Sequence, residues 1–285
     1  MLEHAPHPLG RRYVAVSLHV ARQMGEDGVV KAAKAWLDDL LLPMLAISKA
    51  MKSWPASSQT PPAKQHIESA SRIDLRLLKA KYRCAITKTF DKARVEKLQR
   101  EGRFDEIPRV GQLRMEPAHI MPFLLNKVDN RAIDRRRSHF WDMLRSWTQI
   151  DFETLVVPNL NSPMNAIYMT RDEHDIFGHF TSYLDKEAYP GVPNKYKVRI
   201  ARSYSCLSNG LHEVDVEFPT REESSVEPPN PDYLKVHAAF AKVLHLCGVA
   251  QYMDGVDLEA EMEGTLRLNG ETDFGSYLQS KLATW

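Results

Sequence analysis

The chain has 285 residues, of which 43% are hydrophobic and 26% charged, the proportions of an ordinary globular protein, with length enough for one large or two smaller cores. Its 38 Lys and Arg against 37 Asp and Glu leave a formal charge of +1, which excludes a global attraction to polyanions, so any nucleic-acid footprint has to be local. Cys84, Cys206 and Cys247 form no Cys-x-x-Cys pair. That excludes a zinc site of the paired-cysteine type and, without an apolar leader, points to a reducing intracellular compartment, cytoplasmic or nuclear.

The N-terminal third reads as helical. Val29, Ala33, Trp36, Leu40 and Ile47 recur at helical spacing, which predicts one apolar face. The apolar run at 35–47 carries Asp38, Asp39 and Pro43 and falls short of the ~18 residues of a membrane span, so no membrane partner is expected. A Pro/Ser-rich stretch at 53–62 precedes a predicted helix at 67–81, and a soft boundary is set there. The expected division is a helical region over 1–75, a core over 76–185 with a helical insertion, and a C-terminal hairpin and helical region over 186–285.

Within the middle region Leu113, Met115 and Pro117 alternate with Arg114, Glu116 and Ala118, which predicts a strand ending near Pro117 and delivering His119 at its rim. Further along, Ile133, Phe140, Leu144 and Trp147 share one helical face, while Arg131, Arg135, Arg136, Arg137 and Arg145 crowd the same segment. Such a helix packs by its apolar side and offers arginines either to phosphates or to solvent. Ala166-Ile-Tyr-Met169 reads as a strand, and Thr170 with Glu173 forms a capping-box signature. His174 then falls about one turn into the helix that follows.

After this segment, Tyr196, Val198 and Ile200 alternate with basic residues, and Ser208-Asn-Gly210 followed by Val214, Val216 and Phe218 predicts a hairpin. A proline-rich loop is expected over 219–231 and an apolar helix over 234–247, stopped by Gly248. His179, His212, His237 and His245 have no ligand spacing and are read as structural.

A strand-end His119, then Asn165, then a helix-borne His174 supply a base for water, a residue to orient it and a ligand for an ion, as a one-metal phosphodiester-cleaving site requires. Tyr82-Arg-Cys-Ala-Ile-Thr-Lys88, Glu116-Pro-Ala-His-Ile-Met-Pro122, and Asn165 with His174 nine residues on and Phe177 closing the pattern resemble the HNH endonuclease family, in the branch common in fungal proteins. The resemblance extends more loosely to the helix beginning Tyr233-Leu-Lys-Val-His237 and covers roughly residues 80–280. It implies an α+β protein with a ββα-metal core, in which a two-stranded hairpin and a helix grip one divalent cation. It also implies His119 as general base, Asn165 as the residue that orients it or helps hold the metal, and His174 as a metal ligand. The ion implied is Mg²⁺ or Mn²⁺ where oxygen ligands and waters complete the shell, and Zn²⁺ where His dominates. The implied partner is nucleic acid, DNA foremost.

Three residues depart from the family's pattern. Ala118 stands where many members carry an Asp ligand. The nearest carboxylate is Glu116, taken as a further metal ligand beside His174 and Asn165; strand alternation puts it on the opposite face from His119, so both can serve one ion only where Pro117 bends the chain. An Asp at position 118 is therefore expected to strengthen metal binding. Lys88 and Ala166 stand where Gly is usual, which predicts turns that differ or are strained. Two other functions stay open: a scaffold redirected to acid-base chemistry on a small molecule, with His119 shuttling protons without a metal, and a non-catalytic binding module. A nuclease needs a basic track to the site, a small-molecule enzyme an enclosed apolar pocket. Met115, Met121, Trp141, Met143, Trp147, Met164 and Met169 suit such a pocket or a plain core.

Overall fold

The structure, a computed structural model, describes residues 1–45, 82–121, 134–150, 162–201, 206–220 and 227–249. The predicted helix at 67–81, the Pro/Ser stretch at 53–62, Ile47 and Arg131 lie outside them. The side chains of Arg135, Arg136 and Arg137 are likewise outside the description. Helices and small sheets alternate along the chain, as expected of an α+β protein.

Two helices open the chain, α1 (Pro8–Gln23) and α2 (Glu26–Trp36), the second running into a π-helical turn at Leu37–Leu41. His7 caps α1 through its ring, and Pro8 takes the first helical position, where a missing N–H costs nothing. Trp36, Leu40, Leu41, Met44 and Leu45 are buried, but Ala33 is exposed, against the expected apolar face. The reason is the contact made at Gly28. A Cβ there would stand 2.2 Å from the Ala21 carbonyl oxygen, so α2 meets α1 backbone to backbone near its start. The π turn then follows Trp36.

The hairpin at the centre is β3 (Met115–His119) paired antiparallel with β4 (Ala166–Thr170), and helix α5 (Arg171–Gly178) follows β4 without a gap. The first strand runs to His119 rather than stopping near Pro117. Pro117 opposes Tyr168, whose carbonyl turns outward to accept from the Ala85 N–H at 2.9 Å. The pair is therefore a non-hydrogen-bonded one, and the donor that proline lacks would have faced away from the ladder. The register is one-to-one throughout, so Pro117 does not bend the strand.

Before the hairpin, β1 (Phe90–Asp91) pairs parallel with β2 (Gln112–Leu113), with α3 (Lys92–Arg100) between them, capped by Asp91. Helix α4 (Asp134–Thr148) buries Phe140, Met143, Leu144 and Trp147 and exposes Arg145. A Cβ at Gly10 would stand 1.7 Å from the Trp147 carbonyl oxygen, so only glycine lets α1 approach the end of α4. A three-stranded antiparallel sheet follows, β5 (Ser182–Asp185), β6 (Lys195–Ile200) and β7 (Glu213–Glu217), with β6 central. The expected β6–β7 pairing is present, with Gly210 at φ +78° in the intervening turn. The last described helix, α6 (Pro231–Leu246), begins at Pro231 after an Asn230 cap, earlier than the expected 234, and stops before Gly248 at φ +76°.

Apart from the β1–α3–β2 unit, these parts share one buried cluster: Val14, Trp36 and Leu40, Cys84 and Ile86, Ala118 and Ile167, Phe177, Val198, and Leu234 with Phe240. The hairpin lies with one face in that cluster, through Ala118, Ile167 and Met169. Its opposite face carries a small satellite of Ala166, Tyr168 and Met115.

Candidate functional site

The segment 82–91 sits against the outer edge of β4. Its turn is closed by Cys84 N–H to Thr89 O, Lys88 N–H to Cys84 O, and the Thr87 N–H donated to Cys84 Sγ at 3.4 Å. Lys88 takes φ +61°, the conformation in which glycine is free and an L residue is strained by about 1–2 kcal/mol. Its ammonium donates back to the Ala85 carbonyl at 2.7 Å, and burial lowers the lysine's pKa. The turn thus keeps the shape a glycine would give it, under strain. Ala166 behaves differently: at φ −135°, ψ 145° it is ordinary extended backbone, so the lost glycine costs nothing there.

His119 ends β3 opposite Ala166 and is partly exposed. Asn165, immediately before β4, is fully buried. Its Nδ2 donates to the Met121 carbonyl at 3.0 Å, its Oδ1 accepts from the Met121 N–H at 2.8 Å, and its own carbonyl accepts from the Ile120 N–H at 3.0 Å. The side chain therefore continues the ladder two residues beyond His119 and fixes the backbone leaving it. Of the two roles the resemblance offered Asn165, this geometry serves orientation. A buried amide that bonds both polar groups of one residue is a backbone clamp.

His174 lies in the first half of α5. The helix starts as expected, with Thr170 Oγ1 accepting from the Glu173 N–H at 3.5 Å. The reciprocal half of the capping box is diverted: the fully buried Glu173 carboxylate accepts from the Ser208 N–H at 2.7 Å and so ties α5 to the turn between β6 and β7. At its other end α5 is held by α6. His237 Nε2 bonds the Phe177 carbonyl at 3.0 Å, and His245 Nε2 bonds the Phe180 carbonyl at the same distance. The His237 ring stacks on Phe177 with centroids 3.8 Å apart, and burial pushes its pKa from 6.5 down to about 3. It is therefore neutral, and Nε2 carries the proton it donates. The lack of ligand spacing marked both histidines as structural without disclosing that they satisfy carbonyls at the C-terminal end of α5 and just beyond it.

Glu116 and His174 meet across the hairpin and helix, Oε1 to Nδ1 at 2.6 Å, with His174 29% and Glu116 43% exposed. Glu116 shares the strand face of Ala118, which packs toward α5, while His119 projects to the other face. The hydrogen bond from His174 holds the Glu116 carboxyl below the usual carboxylate range against opposing desolvation, with Arg171 adding to the lowering and Asp175 opposing it. Glu116 is thus an anion at neutral pH and can only accept, so Nδ1 of His174 carries the proton. Ala118 itself is fully buried among apolar neighbours. A carboxylate placed there would be desolvated, so the expectation that Asp at this position strengthens metal binding is withdrawn.

Among the described residues no three His, Cys, Asp or Glu side chains come together as a metal-holding group. Glu116 and His174 do meet, but Oε1 and Nδ1 are engaged with each other, which leaves Nε2 of His174 as the nitrogen free for an ion; a single protein ligand suits an ion that completes its shell with waters and phosphate oxygens. Of the arginines expected to touch phosphate, Arg145 is exposed on α4. No helix among the described residues is long and apolar enough to cross a membrane. Comparison with protein-family models, with curated proteins and with solved structures finds no match for this chain.

Proposed function

We propose that the chain is a divalent-metal-dependent endonuclease of the HNH type, hydrolysing phosphodiester bonds in nucleic acid. The observation that carries this is the order of three residues in one strand–strand–helix unit: His119 ending β3, Asn165 leading β4, and His174 in α5. Because His119 alternates to the face of β3 away from Glu116 and His174, this reading requires the phosphate to sit at the end of the strand, where His119 is the last residue. In this reading His119, in its neutral form, takes the proton from the water that attacks phosphorus. Asn165 keeps the backbone after His119 from shifting, so that the ring stays aimed at that water. His174 would hold the cation, with Glu116 bonded to its other ring nitrogen. When bound, the cation stabilises the negative charge that develops on the phosphate and leaving oxygens.

The Glu116–His174 pair also favours a second reading. A carboxylate holding an imidazole by Nδ1 is an acid–base pair that needs no metal, and it would serve proton transfer on a small molecule. Chelation separates the two. The nuclease reading predicts that excess EDTA stops nicking of supercoiled plasmid and that added Mg²⁺ or Mn²⁺ restores it. Failure of the parent to cleave duplex DNA, single-stranded DNA or RNA with either ion present would reject it.

A further inference from the structure

The contact between Glu116 and His174 assigns Glu116 a role that the family resemblance does not supply, and the inference rests on the nuclease reading only for the identity of what His174 holds. We propose that Glu116 is a positioning residue: it fixes His174 in the Nδ1–H tautomer and so presents the Nε2 lone pair to the cation. The carboxylate lies 2.6 Å from Nδ1 and, as an anion, can only accept there. A neutral imidazole has one lone pair, and once Nδ1 holds the proton that pair is on Nε2.

The scaffold around the pair sets the direction in which Nε2 points. The two ring nitrogens diverge, so turning Nδ1 toward β3 turns Nε2 away from it. The Cδ2 edge of the ring lies along α5 next to Gly178, where an added Cβ would reach 4.0 Å. Both elements are fixed on either side of the contact. Glu116 sits in a five-residue ladder of unbroken register, and α5 is tied by Glu173 to Ser208 and by His237 to α6. The ring is therefore oriented by a carboxylate on a rigid strand, the arrangement that raises ligand basicity and fixes the tautomer in metal sites. Glu116 lies on the same strand face as Ala118, two residues away. The face that in other members of the resembled family supplies a ligand here supplies an orienting group.

The test reads the ring itself. Long-range ¹H–¹⁵N correlation of the imidazoles at about pH 9, well above the ordinary imidazole pKa of about 6.5, is expected to show His174 as the Nδ1–H tautomer in the parent. Glu116→Gln, whose amide oxygen still accepts from Nδ1, is expected to keep it, and Glu116→Ala to release it toward the Nε2–H form. An Nε2–H tautomer in the parent, or no change in Glu116→Ala, overturns the proposal. Mn²⁺ titration followed by electron paramagnetic resonance supplies the second arm. Affinity should fall about 10–100-fold in Glu116→Ala and stay within a few-fold of the parent in Glu116→Gln. Equal losses in the two variants would make Glu116 itself a ligand and overturn the positioning role. A parent that binds no Mn²⁺ while showing the expected tautomers would sink the nuclease reading and leave the orientation of His174 by Glu116 established.

Discussion

His237 makes the stability of the fold sensitive to acid by an amount that can be worked out. Its ring is buried, stacked on Phe177 and bonded through Nε2 to the Phe177 carbonyl, and its pKa in the folded protein is about 3 against 6.5 when solvated. The unfolded chain therefore binds a proton between these values that the folded one refuses, so stability rises with pH across the window and falls as pH drops through it. At pH 7 nothing is lost. At about pH 4.5 the unfolded state is favoured by two pH units of protonation, about 2.7 kcal/mol at 1.36 kcal/mol per unit. The full loss, reached near pH 3, approaches 5 kcal/mol. Urea unfolding of the parent and of His237→Gln, whose amide can still donate to Phe177, should be compared at pH 7 and at about pH 4.5. The parent should lose about 2–3 kcal/mol more than the variant on acidification. Parallel losses in the two proteins would refute the reasoning, whatever the variant's stability at pH 7.

Three other substitutions test other parts of the account. Lys88→Gly relieves a left-handed strain at φ +61° and should raise stability by roughly 0.5–1 kcal/mol after the entropy of the added glycine is counted; an unchanged or lower urea midpoint would contradict it. Ala118→Asp puts a carboxylate into the apolar cluster beside α5 and should cost several kcal/mol, so a melting temperature equal to the parent's together with tighter Mn²⁺ binding would show that the face is open to the ion after all. Asn165→Ala leaves the Met121 N–H and carbonyl without their side-chain partners and should cost about 2–4 kcal/mol, and amide exchange at Met121 should accelerate by a larger factor than exchange in β6.

Much of the central unit was legible in the sequence because its signals are local. The alternation around Met115, the strand-forming run at Ala166–Thr170 and the Thr170 cap each depend on residues a few positions apart, and they placed His119 and His174 on the elements where they lie. The partners were not legible, because they come from distant parts of the chain. Nothing in the spacing says that Glu116 reaches His174, 58 residues on, or that Glu173 leaves its capping box for Ser208. Nor does it say that Asn165 turns inward to Met121. Ala33 was misread for a related reason: the face of α2 that meets α1 is set by the close approach at Gly28, which apolar spacing does not disclose. Lys88 and Ala166 show how little a missing glycine says by itself, since one keeps the left-handed backbone at a cost and the other has no need of it.

In the proposed mechanism His119 activates water for attack on phosphorus. The most direct measurement is the rate of conversion of supercoiled plasmid to open circles by the parent and by His119→Ala, in Mg²⁺ and in Mn²⁺, with Mn²⁺ affinity measured on the same samples. Ion-dependent nicking by the parent is expected, with a loss of about 10²–10⁴-fold in the variant and Mn²⁺ affinity left nearly unchanged. Nicking by His119→Ala at the parent's rate would remove His119 from the chemistry.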